Sequence, residues 1–161
     1  MKTEFEVKIL EIDHDEMIEK LESLGATKKS EGLQERFVYD VKPKNPNRWI
    51  RLRKNATKTT LTIKNLQEKS IDGMKELEIE VSDFEETNAI LETLGFKNRG
   101  FQQNRRVQYI LDDVEIDLDK WPMIPEYMEI EGKDTESVYH TLEKLGIDKN
   151  RVTTLDVESI Y

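Results

Sequence analysis

Apolar and ionic residues alternate along most of this chain. Phe5, Val7 and Ile9 occupy one parity and Glu4, Glu6 and Lys8 the other, the period-2 pattern of a strand with one apolar and one ionic face. The pattern recurs as Ile50 and Leu52 against Arg51 and Arg53, and as Leu61 and Ile63 against Thr62 and Lys64. Further on, Leu77, Ile79 and Val81 oppose Glu76, Glu78 and Glu80, and Val107 and Tyr109 oppose Arg106 and Gln108. Ile116 and Leu118 then oppose Asp117 and Asp119, and Met128 and Ile130 oppose Glu129 and Glu131. Eight strands are predicted, over 3–10, 34–41, 48–54, 58–65, 75–82, 102–111, 114–121 and 126–133. Turns are marked by Pro43 and Pro46, by Asp72-Gly73, by Asp112-Asp113, and by Pro122 and Pro125.

Three segments carry helical spacing instead, from Asp13 to Gly25, Asp83 to Gly95 and Asp134 to Gly146. Each opens on an Asp suited to an N-cap and closes on a Gly suited to a left-handed exit, and Glu16 and Glu86 are spaced for capping boxes. All three end in Leu-Glu-x-Leu-Gly, but at unequal intervals, so a solenoid is rejected. The tail after Gly146 is expected to hold a turn and a helical stub.

An open antiparallel sheet with one wet face would account for the alternation alone. Two features favour closure. The three amphipathic helices need an apolar surface, and the strands' apolar faces are the candidates. Eight strands suffice to close, and helices outside leave the ionic faces inside. Such an interior must hold water, metal or charged ligand, because unpaired buried charges cost several kcal/mol each. The predicted fold is α+β: a closed eight-stranded antiparallel β-barrel, or tunnel, with amphipathic helices outside, in one domain over 1–161. Acids are expected to outnumber bases within it.

Composition narrows the chemistry. Charged residues make up 37% of the chain, against roughly 25% in an average domain. The net charge of −9, from 34 acids and 25 Lys and Arg, disfavours general nucleic-acid or anionic-membrane binding. A polyanion would need a local basic cluster or a bridging cation. No cysteine is present, which excludes disulfides, thiolate catalysis and zinc–thiolate sites. His14 and His140 fall in predicted helices without ligand spacing. No apolar stretch approaches the roughly 20 residues of a membrane helix, and residues 1–8 contain no signal-peptide apolar core. A cytoplasmic protein, monomer or homodimer, is expected. The carboxylates suit hard divalent cations such as Mg²⁺ or Mn²⁺, and Arg pairs at i, i+2 suit phosphate oxygens.

In order, these residues resemble the signature of CYTH domains, the triphosphate tunnel metalloenzymes. Glu4-Phe5-Glu6-Val7-Lys8 matches E-x-E-x-K; Tyr39-Asp40, Arg51-Leu52-Arg53, Thr62-Ile63-Lys64 and Glu76-Leu77-Glu78 follow, then Arg106, Asp119 and Glu129-Ile130-Glu131. The resemblance implies a tunnel in which divalent ions activate a triphosphate. By position, Glu4, Glu6, Glu129 and Glu131 would coordinate metal, with Glu78 and Asp119 nearby. Lys8, Arg51, Arg53, Lys64 and Arg106 would hold phosphates, and Lys8, Glu4 and Glu6 would stand at the catalytic centre. Which of Glu76, Glu78 and Glu80 face the ligand is open, as is Asp117. Members often carry a second base two residues before the Arg106 position. Here it is Asn104, so either one phosphate contact is missing or the register shifts by one at Gln103 and Arg105. The family's chemistries are hydrolysis of inorganic, nucleoside or thiamine triphosphates and, as the alternative, class IV adenylyl cyclisation. A non-catalytic polyphosphate- or nucleotide-binding module is a third reading. Trp49 and Trp121 could stack on an organic group or simply pack.

Overall fold

The computed structural model describes Met1–Tyr161. Its strands are β1 (Lys2–Ile9), β2 (Thr27–Asp40), β3 (Arg48–Lys54), β4 (Thr59–Leu66), β5 (Met74–Val81), β6 (Asn98–Leu111), β7 (Val114–Lys120), β8 (Tyr127–Gly132) and the two-residue β9 (Val152–Thr153). The helices are α1 (His14–Ser23), α2 (Phe84–Thr93), α3 (Thr135–Leu145) and α4 (Val157–Ile160). Neighbouring strands pair antiparallel in the order β5-β4-β3-β2-β6-β7-β8-β1, and β1 pairs with β5 as well, closing eight strands into a barrel with the helices outside.

The seam of that closure is short. Lys2, Thr3 and Glu4 face Glu76, Lys75 and Met74, after which β5 ends. The Glu6 N–H then donates to the Ile71 carbonyl at 3.1 Å, and β9 lies opposite Lys8 and Ile9. The seam therefore pairs only Met74–Glu76 of β5, and the edge of that strand from Leu77 to Val81 has no partner strand on this side.

Two strands are longer than predicted. β2 begins at Thr27 rather than 34, and β6 at Asn98 rather than 102. The segment Thr27-Lys-Lys-Ser-Glu-Gly has little strand propensity, but pairing with β6 holds it extended from Thr27 opposite Ile110 onward. Partner strands outweigh propensity here. β9 was not predicted, since two residues carry no period. The predicted stub is α4. Asp112 and Asp113 form the tight β6–β7 turn at φ 50° and 64°, as expected for a hairpin that needs two left-handed residues.

The helix ends follow the predicted chemistry with one change. Asp13, Asp83 and Asp134 accept from the backbone N–H of Glu16, Glu86 and Ser137 at 3.0, 2.7 and 2.7 Å. Only α3 completes a capping box, through Ser137; Glu16 and Glu86 do not reach back. The chain leaves the helices through Gly25, Gly95 and Gly146, all at positive φ. Gly132 serves close approach: a Cβ there would lie 2.3 Å from Ser137 Oγ, so β8 passes against the α3 cap.

The apolar core lies between barrel and helices. Leu21 of α1 and Val138 and Leu142 of α3 pack with Val7, Ile116 and Ile130. Phe84 and Leu91 of α2 cover Tyr39, Ile50 and Leu52. The helices do not cover every strand: on β5, Leu77 and Ile79 remain 53% and 61% exposed. No helix is long and apolar enough to cross a membrane.

This division predicts unequal mutational costs. Ile130 is fully buried, so Ile130→Ala is expected to lower unfolding free energy by about 2–5 kcal/mol. Leu77→Ala should change it by no more than about 0.5 kcal/mol. Urea unfolding of both variants measures the contrast, and equal costs would mean that the β5 outer face is covered.

Candidate active site

The ionic parity of every strand points into the barrel. It surrounds a cavity of about 620 Å³ lined by Glu4, Glu6 and Lys8 from β1, Arg51 and Arg53 from β3, Lys64 from β4, Glu76 and Glu78 from β5, Arg106 from β6, and Glu129 and Glu131 from β8. Contrary to the expected acid excess, the lining carries as many basic side chains as acidic ones; the net negative charge lies elsewhere on the chain. Asp117 also lines the cavity. Glu80 sits at the rim with its side chain 72% exposed, 3.7 Å from Lys58.

Three of the six predicted metal ligands converge. Carboxylate oxygens of Glu4, Glu6 and Glu131 lie within 4.8 Å of one another, because Glu6 and Glu131 are directly opposite across β1 and β8. Burial, together with Glu6 and Glu4 alongside, pushes the Glu131 carboxyl up to about 8. A cluster of oxygen donors that resists its own ionisation fits a hard divalent cation such as Mg²⁺ or Mn²⁺. Glu78, Asp119 and Glu129 are held by other groups. Glu78 accepts from Thr62 at 2.7 Å and lies 3.5 Å from Arg51. Asp119 takes a two-pronged contact from Arg106 at 2.6 and 2.9 Å. Glu129 lies 3.2 Å from Arg106 and 4.0 Å from Lys8. Despite its burial, Arg106 and Lys8 hold the Glu129 carboxyl down at about 2.

The bases interleave with these acids. Lys8 sits 2.9 Å from Glu6; burial opposes its charge, but Glu6 and Glu129 outweigh it and hold the ammonium above its ordinary pKa. Lys64 bonds Glu4 at 3.0 Å and lies 4.0 Å from Glu76. Burial and the neighbouring Glu4 raise the Glu76 carboxyl to about 7. Burial alone would lower the Arg106 pKa, yet Asp117, Asp119 and Glu129 keep it well above its usual value.

The open questions of register resolve. Arg106 faces inward opposite Asp119, and Arg105 faces out, 2.6 Å from Glu31, so no one-residue shift occurs. Asn104 is buried and donates to Asp119 at 3.2 Å. Trp49 lines the cavity, whereas Trp121 is buried beneath the guanidinium of Arg36 at 4.5 Å. Arg36, a lining residue, was not anticipated. The outward pair Phe37 and Tyr39 placed it on the inner parity of β2 and was the signal available.

The chain belongs to the CYTH domain family, whose model matches residues 2–154. It is similar in structure to the PH1012 protein of Pyrococcus horikoshii OT3, with 26% identity over 98% of both chains and a TM-score of 0.83. It is also similar to a candidate adenylate cyclase of Vibrio parahaemolyticus, with 13% identity, 99% and 97% of the two chains covered and a TM-score of 0.82. HpAC1 of Hippeastrum, a candidate adenylyl cyclase with a dominant triphosphatase activity, aligns at 16% identity over 99% and 94%, with a TM-score of 0.64. The last two likenesses establish the fold alone. No curated protein matches the chain.

The raised carboxyls have a consequence for stability. Glu131 and Glu76 titrate in the native state near 8 and 7, against an ordinary 4.5. The folded chain therefore favours their protonated forms, and the stability they contribute is full below pH 4.5 and lost as pH rises to about 8. In EDTA the thermal midpoint should fall between pH 5 and 8, on the order of 5 °C, and saturating Mg²⁺ should reduce that slope by the part due to Glu131. A midpoint flat or rising across this window without metal would mean that the cluster ionises freely.

Proposed function

We propose that the tunnel is the active site of a divalent-metal-dependent phosphohydrolase acting on a triphosphate. The observation that carries this reading is the meeting, in one cavity, of the Glu4–Glu6–Glu131 cluster with Arg51, Arg53, Lys64 and Arg106. A ligand suited to both must carry several anionic groups and be compatible with a bridging cation. HpAC1, which shares this fold, has a dominant triphosphatase activity, so the fold is compatible with hydrolysis.

Glu4, Glu6 and Glu131 would hold the cation, which would supply Lewis-acid polarisation of a phosphoryl oxygen and a more acidic water. Lys8 remains an ammonium ion and serves as a fixed positive charge, not as a base. Arg51 and Lys64 would fix the phosphoryl oxygens, each already oriented by a carboxylate neighbour. In hydrolysis a water oxygen bonds to the terminal phosphorus as the bridging P–O bond breaks, and the water's proton passes to an oxygen of the released phosphate. The electron pair leaves on the diphosphate, where preplaced cations meet the developing charge. Cyclisation of ATP by the ribose 3′-hydroxyl would draw on the same cradle; Trp49 is the one aromatic side chain in the lining on which a base could stack.

Product analysis separates these readings. Tripolyphosphate with Mg²⁺ or Mn²⁺ is expected to yield diphosphate and phosphate, and ATP to yield no cyclic AMP. Glu131→Gln should lower kcat by about two orders of magnitude or more, the scale of losing one strong electrostatic stabiliser. Cyclic AMP with diphosphate as the main products from ATP would favour the cyclase, and full turnover in excess EDTA would defeat the metal assignment.

A further inference from the structure

Arg36 of β2 and Arg53 of β3 stand directly opposite each other across the strand pair, both facing the cavity. Like charges in that relation destabilise a sheet, and no carboxylate contacts this pair; Glu78 and Asp117 act on Arg53, and Glu129 on Arg36, only from beyond contact. Arg36 Nε donates to Gln102, a neutral acceptor, at 2.9 Å. Arg53 Nε is buried without a hydrogen-bond partner. No carboxylate lies within ion-pairing distance of either guanidinium, whereas Lys8, Arg51, Lys64 and Arg106 each have one. Burial and neighbouring cations lower both pKa values, Arg53 to about 10.

The position of the pair orders the cavity. On β4, Lys64 contacts Glu4, Thr62 is opposite Arg51, and Thr60 is opposite Arg53. Four residues separate Lys64 from Thr60, about 13 Å along a strand. The next strand places Glu80, the exposed rim residue, opposite Thr60. The uncompensated arginines thus lie toward the rim, away from the carboxylate cluster, with Arg51 between. Arg36 is also fixed before any ligand arrives, its guanidinium over the Trp121 ring at 4.5 Å and its Nε on Gln102. A preoriented guanidinium with free terminal nitrogens suits two-pronged contact with a phosphoryl group.

We infer that Arg36 and Arg53 form an anion subsite that takes the phosphoryl group of the ligand farthest from the Glu4–Glu6–Glu131 cluster. The assignment rests on the triphosphate reading and adds its polarity: cation at one end, uncompensated guanidinium pair at the other. Arg36 is a binding residue in this scheme, and its contribution depends on the length of the phosphate chain.

Calorimetric titration tests this with imidotriphosphate and imidodiphosphate, unreactive analogues of two chain lengths, each with Mg²⁺. Arg36→Gln is expected to weaken imidotriphosphate binding at least tenfold and imidodiphosphate binding less than threefold. Its ligand-free thermal midpoint should equal or exceed that of the wild type, because a like-charge pair has been removed. Arg36→Met, which keeps the aliphatic stem on Trp121, provides the same comparison should the Gln variant not fold. Unchanged imidotriphosphate affinity in a folded variant, or an equal loss for both analogues, overturns the assignment. Wild-type protein that binds neither analogue defeats the triphosphate reading itself, an outcome distinct from wild-type binding matched by the variant.

Discussion

Arg106 is buried among Asp117, Asp119 and Glu129, at 3.0, 2.6 and 3.2 Å, and the barrel interior is organised around that contact. The three carboxylates come from two strands, β7 and β8, and the guanidinium from their neighbour β6, so one side chain ties three consecutive strands from within. Taking such ions out of water costs several kcal/mol apiece, and only close geometry with further hydrogen bonds offsets it. Asn104 and Gln108 supply those bonds, donating to Asp119 at 3.2 Å and to Asp117 at 2.7 Å. Asn104 therefore stands where a second base would leave Asp119 shared between two cations and Arg106 less firmly placed.

Because the interior is ionic, the apolar core must form outside the barrel, and the helices are what make it possible. α1 and α3 cover the β1–β6–β7–β8 side, where Val7, Ile9, Ile116 and Ile130 are almost wholly buried. α2 covers the β2–β3 side with a smaller cluster. The coverage determines where the barrel is firm: the strands bearing Glu4, Glu6, Lys8, Arg106, Glu129 and Glu131 are backed by the larger core, so the carboxylate cluster and the Arg106 network stand on the best-packed wall. β5, which brings Glu76 and Glu78, has its outer Leu77 and Ile79 in solvent and is held chiefly by its ladder with β4 and the short seam with β1.

Parity made most of this legible. Alternation assigned an inner and an outer face to seven strands, and the three Asp-to-Gly segments became the three long helices. What alternation could not carry was pairing. The lysine-rich start of β2 is extended because β6 lies beside it, a contact more than sixty residues away in the chain. Nor could parity say which carboxylates converge. Glu129 and Glu131 read alike in sequence, yet one neighbours Arg106 and the other faces Glu6, and their pKa values part to about 2 and about 8. Burial raises both, and the direction of the difference follows from the charges around them: Arg106 and Lys8 at Glu129, Glu6 and Glu4 at Glu131. Arg36 was overlooked because no inner and outer face was assigned to its strand, although the parity of Phe37 and Tyr39 places Arg36 inside.

Equal numbers of acids and bases along the cavity do not make it neutral everywhere, and the imbalance has direction. Around Arg106 one guanidinium is shared by three carboxylates, and burial pushes the Asp119 carboxyl up to about 7, which reduces the excess of negative charge there. At Glu4, Glu6 and Glu131 the charges do not cancel, since Lys64 and Lys8 are each shared with other carboxylates. At Arg36 and Arg53 the surplus has the opposite sign. A tunnel with a surplus of each sign at different depths is relieved fully only by an occupant that is positive at one end and negative at the other. A free anion would be drawn to the arginines and repelled by the carboxylates; a bare cation would meet the reverse. The proposed pairing of a divalent cation with a phosphate chain would supply both, so the electrostatics that oppose each other along the barrel would also select that ligand and set its orientation.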